Sequence, residues 1–210
     1  MNEYLRRYRH RNERNGTSAR GGGMQTITDA DIMDNLRELV RMPEPSAEAC
    51  AKLRDFIVAY GVPRTFPGLK DVMRLEPIVR HLQQRASTLL ACEKLKLDSA
   101  IEEVDALANA CKAAHFNRNL SFASKCVVML GQNVPIFSSE GKAFLQLKGA
   151  ESSSYTAYCE KWMAAYGHER SMFESAAARL HQKHDPVEAR WFAMRGFDVK
   201  VMAVGGPKRK

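Results

Sequence analysis

The order of residues 118–139 constrains this chain more than any other stretch. It reads Arg118-Asn119-Leu120-Ser121-Phe122-Ala123-Ser124-Lys125-Cys126-Val127-Val128-Met129-Leu130, then Gly131-Gln132-Asn133-Val134-Pro135-Ile136-Phe137-Ser138-Ser139. From Phe122 to Leu130 apolar residues fall on most sides of a helical projection, so a helix here has to be buried nearly all round. Ser121 is expected to be its N-cap, since a serine hydroxyl can accept from a backbone N–H two or three residues on. Gly131 is expected to end it, because glycine enters the left-handed C′ conformation without a Cβ penalty. Pro135 keeps Val134 out of the helical region, and Ser138 or Ser139 can cap the next helix. The predicted unit is a buried helix, a tight exit over an apolar connector, and a new helix start beside it.

The chain on either side reads as helix with clear punctuation. Thr28 is expected to cap a first helix with Ile32, Leu36, Leu39 and Val40 on one face, closed by Pro43 and Pro45. Ser46 should cap a second, with Ala49, Leu53, Phe56, Ile57 and Tyr60 buried and Gly61 as its stop. Residues 62–70 read as a loop. From Asp71 helix resumes around Pro77 and carries Ile78, Leu82, Leu89, Leu90, Leu95 and Leu97; Ser99 restarts it, with Ile101, Val104, Leu107 and Ala108 buried. After Gly149 a serine run caps a helix bearing Tyr155, Tyr158, Trp162 and Tyr166, which Gly167 should end. His168 opens another helix, Pro186 starts the last, and Gly196 should stop that one. Phe197–Val204 is then expected as a short strand or extended arm. No internal repeat is present. The expected fold is all-α, eight or nine helices in one body spanning residues 24–204. A disordered basic arm (1–23) precedes it and a basic tail (205–210) follows.

Charge sits mainly at the ends. The net charge is +8, of which residues 1–23 hold +4 and Lys208, Arg209 and Lys210 hold +3, leaving the body near neutral. Basic ends bind phosphate backbones without sequence preference, and they also occur as solubilising ends with no partner. Within the body, residues 111–150 carry a local +4 from Lys112, Arg118, Lys125, Lys142 and Lys148 against Glu140. Asp98, Glu102, Glu103 and Asp105 form an acidic run, expected to be a solvated helix face. His181 and His184, with Asp185, lack the three or four convergent ligands a zinc site needs; no metal site is expected. The five cysteines are widely spaced without a CxxC, which fits buried reduced thiols in a cytoplasmic protein. No run approaches the roughly 20 apolar residues of a membrane span. P-loop, dinucleotide, GxSxG and HExxH fingerprints are all missing, so no cofactor is expected.

The order Ala123-Ser124-Lys125, apolar helix, short loop, Pro135-Ile136-Phe137-Ser138-Ser139 resembles the helix-hairpin-helix DNA glycosylase superfamily, in its 8-oxoguanine-glycosylase-fold branch. The resemblance covers about residues 118–145. It implies DNA as partner, backbone contacts from a hairpin and helix N-terminus, and a base-excision or lyase activity. Arg118, Asn119, Ser121, Ser124, Lys125 and Lys142 are the implied DNA-binding residues. Lys125 is the implied catalytic residue, an amine able to attack C1′ and form a Schiff base. The pattern departs at two places. Ser138 stands where members carry an aspartate, and Ser121 rather than Lys125 is in register with the lysine site. Asp185, Glu188 and Asp198 are the carboxylates left to steady an oxocarbenium-like sugar. Two function classes follow: a DNA-binding protein on a glycosylase-like fold with weak or lost activity, or a non-catalytic helical protein-interaction module of a bacterial or mobile-element accessory system.

Overall fold

A computed structural model describes residues 29–60, 63–91, 93–180 and 186–206. Thr28, Gly61, Cys92, His181, His184, Asp185 and the basic segments 1–23 and 207–210 lie outside these residues. The described residues are all-helical. Nine α-helices follow one another: α1 (Asp29–Arg41), α2 (Ala47–Ala59), α3 (Glu76–Gln84), α4 (Ala86–Leu89), α5 (Leu97–Ala113), α6 (Leu120–Met129), α7 (Ser139–Phe144), α8 (Tyr155–Leu180) and α9 (Pro186–Gly205). Three short 3₁₀ turns, Pro63–Thr65, Val72–Leu75 and Gly149–Ser153, join them.

The first two helices pack as expected from their apolar stripes. Ile32, Leu36, Leu39 and Val40 of α1 are buried, as are Ala49, Leu53, Phe56, Ile57 and Tyr60 on and just after α2. Ser46 caps α2 by accepting from the Ala49 amide at 3.2 Å. Asp71 caps the 3₁₀ turn ahead of α3, and Pro77 sits in the first turn of α3, where its missing N–H leaves no bond unmade. The leucine-rich stretch that follows is not one helix. It breaks at Arg85 and again at Leu90, and α5 begins at Leu97 rather than at Ser99. Leu97 is half-buried against the core, which draws the start of α5 inward.

The C-terminal third departs most from expectation. Residues 155–180 form one helix straight through Gly167. A glycine in a helix interior costs about 1 kcal/mol relative to alanine. Burying Tyr155, Tyr158, Trp162 and Tyr166 on one face far outweighs that. Gly196 likewise lies inside α9, and Phe197 to Val204 are helical, neither strand nor arm. Here the glycine has a packing role: a Cβ on Gly196 would lie 3.1 Å from the Phe173 ring, so its absence lets α8 and α9 approach. Phe197, next in sequence, is fully buried and meets Trp162 at 4.9 Å, Tyr166 at 5.5 Å, Phe173 at 5.5 Å and Phe144 at 6.2 Å. Buried side chains of both halves form one contiguous core.

The two glycines should answer differently to alanine. Gly167 is exposed with open space around it, so Gly167→Ala is expected to stabilise by about 0.5–1 kcal/mol. Gly196→Ala is expected to give none of that gain, because the methyl presses on Phe173. Urea unfolding of the two variants beside the parent checks this; equal gains would mean that the α8–α9 contact is loose.

Candidate functional site

Helix α6 is where the sequence placed the site, and its N-cap is Asn119, two residues earlier than Ser121. The Asn119 side chain accepts from the Phe122 amide at 3.0 Å and its own amide group donates to the Thr65 hydroxyl. Both Asn and Ser are good caps. The choice is made by Thr65, a contact 54 residues away that no local pattern announces. At the other end Gly131 takes φ +103°. Its amide bonds the Val128 carbonyl at 2.9 Å, and the next amide, of Gln132, bonds Val127 at 3.1 Å. That is the two-bond arrangement of a Schellman C-cap, and it places the glycine where the sequence did.

Between α6 and α7 the chain runs extended and buried. Val134, Pro135, Ile136 and Phe137 are all buried. Backbone groups in such a run have no helix or sheet partner, yet leaving them unpaired in the interior costs several kcal/mol. Side chains from three elements meet them. Arg195 of α9 donates to the Val134 carbonyl at 2.6 Å. The Tyr155 and Tyr158 hydroxyls of α8 donate to the Pro135 and Ile136 carbonyls, each at 2.7 Å. Ser124 of α6 accepts from the Phe137 amide at 3.0 Å, and Asp198 of α9 accepts from the Ile136 amide at 3.4 Å. Ser138, where the glycosylase pattern has aspartate, caps α7 by accepting from Gly141 at 2.9 Å. The Ile136 and Phe137 amides are therefore engaged internally.

The implied site residues do not converge. Arg118 is exposed, but its guanidinium bonds the Asp105 carboxylate at 2.6 Å and the Ser153 carbonyl at 3.4 Å. Asn119 is buried as the cap and Ser124 is buried against the connector. Ser121 is half-buried, and its carbonyl accepts from the Ser124 hydroxyl at 3.4 Å. Lys125 is half-buried and donates to the Tyr60 carbonyl at 3.1 Å. That carbonyl closes the C-terminal end of α2, where the helix dipole favours a cation. Lys142 stands apart, its ammonium 5.3 Å above the Phe137 ring. It borders a shallow groove of about 450 Å³ with Gln146, Lys148 and Ser152. The acidic run is split as well. Asp98 and Glu102 face solvent, whereas Glu103 is buried in an ion pair with Arg85 and Asp105 is taken by Arg118.

Of the three candidate carboxylates, Asp185 and the Glu188 side chain lie outside the described residues. Asp198 does reach the connector, but as a buried group. It is 2 % exposed, and its Oδ2 lies 2.5 Å from an Arg195 nitrogen. Burial pushes its carboxyl up to about 6, against the opposing pull of Arg195, the Ile136 amide and Trp162. Sequence reasoning missed the Arg195–Asp198 pair, because residues three apart share a face only on a helix and this stretch read as extended. The four described cysteines are free and buried, and burial raises the Cys111 and Cys159 thiols to about 12. Among the described residues no three His, Cys, Asp or Glu side chains converge as metal ligands, and no helix is long and apolar enough to cross a membrane.

The chain matches no family model, no curated protein and no solved structure.

The Asp198 shift has a sign that can be measured. An unfolded aspartate ionises near its ordinary value of 3.8, while the folded one holds its proton up to about 6. The group's contribution to stability is thus fully present below the lower value and is lost as pH rises through the upper one. Asp198→Asn, a permanently neutral isostere, should show a smaller fall in unfolding free energy than the parent over this window. In Arg195→Leu the effect of burial loses its main opponent, and the window should extend to higher pH. Urea unfolding from about pH 3.5 to 8, a range that spans both ionisations, tests both; identical pH profiles for parent and Asp198→Asn would contradict the shift.

Proposed function

We propose that this chain is a non-catalytic helical protein that binds the backbone of DNA. The observation carrying the first half is the occupation of the implied catalytic segment. Lys125 ties α6 to the end of α2, Ser124 and Ser138 hold the connector and α7, and Asp198 is sealed beneath the connector. Each of these polar groups, which a glycosylase would turn toward substrate, has a structural task here. The likeness to helix-hairpin-helix glycosylases then bears on residue order along α6, the connector and α7 rather than on chemistry.

The partner is argued from charge. The body is near neutral while both ends are strongly basic, a distribution that favours contact with a polyanion through the ends and whichever body lysines lie near them. The large aromatics Trp162, Tyr155, Tyr158, Tyr166 and Phe197 are fully buried, so they offer no platform for the base stacking that single-strand binders use. Duplex backbone is the better match. A second reading, a helical protein-interaction module, has one feature in its favour: the shallow groove between α3 and α5, where Ala106, Ala110 and Ala113 face Pro77 and His81 and leave room for a close helix.

Anisotropy of a labelled duplex titrated with the full chain, over a salt series, tests the reading. Binding whose log affinity falls linearly with log salt is expected; no binding at low salt would leave the protein-partner reading in its place. Borohydride treatment with an abasic-site duplex should trap no adduct. A trapped adduct that disappears in Lys125→Ala would contradict the non-catalytic assignment.

A further inference from the structure

We draw no further inference here: the strongest candidate, the shallow groove between α3 and α5 lined by Ala106, Ala110 and Ala113, is an unpartnered apolar face, and nothing in the structure shows what covers it.

Discussion

The fold depends on a stretch with no regular structure. Residues 133–137 pass through the interior outside any helix or sheet, and their peptide groups meet no backbone partner there. The protein meets that demand with five side chains from α6, α8 and α9, bonded at 2.6–3.4 Å. Each bond joins the connector to a helix that would otherwise meet it only by apolar contact. Gln132 extends the pattern by donating to the Leu89 carbonyl and accepting from the Leu95 amide, both at 2.9 Å. Trp191 of α9 donates to Val128 at the end of α6. The connector is thus the place where the N-terminal helices and the α8–α9 pair are fastened together, and apolar burial around Phe197 supplies the bulk of the attraction.

This arrangement accounts for why the polar groups around the connector are engaged in structure. Of the side chains that meet the connector, Ser124 is an implied DNA-binding residue and Asp198 a candidate carboxylate, while the tyrosines and Arg195 carry no such expectation. Here the tyrosines donate to main-chain carbonyls, Arg195 divides its guanidinium between Val134 and Asp198, and the aspartate accepts from an amide. Burial of Asp198 beside Arg195 places a charged pair where desolvation opposes its attraction.

Much of this was legible where local chemistry decides the outcome. The Ser46 cap, the prolines after α1, the Gly131 stop and the Ser138 cap each follow from one residue's backbone or hydroxyl preference. Legibility failed where distant partners outweigh a local signal. Gly167 and Gly196 are weak helix residues, but α8 and α9 carry apolar faces that a break would expose. Asn119 displaced Ser121 because Thr65 lies within reach. The local +4 of residues 111–150 is dispersed by Asp105, by the Tyr60 carbonyl and by the Phe137 ring, none of them neighbours in sequence. Lys148 could have been paired with Lys142 only by knowing that Gln146 turns the chain.

Side chains lock the connector as firmly as a helix is locked by its own backbone. Native-state hydrogen exchange reads this directly at the Ile136 and Phe137 amides, whose acceptors are Asp198 and Ser124. Both should exchange only with global unfolding, in the slowest class alongside the α8 interior. Exchange at the rate of an ordinary surface loop, such as the exposed 149–153 turn, would contradict it and would return these amides to the pool available for an external phosphate.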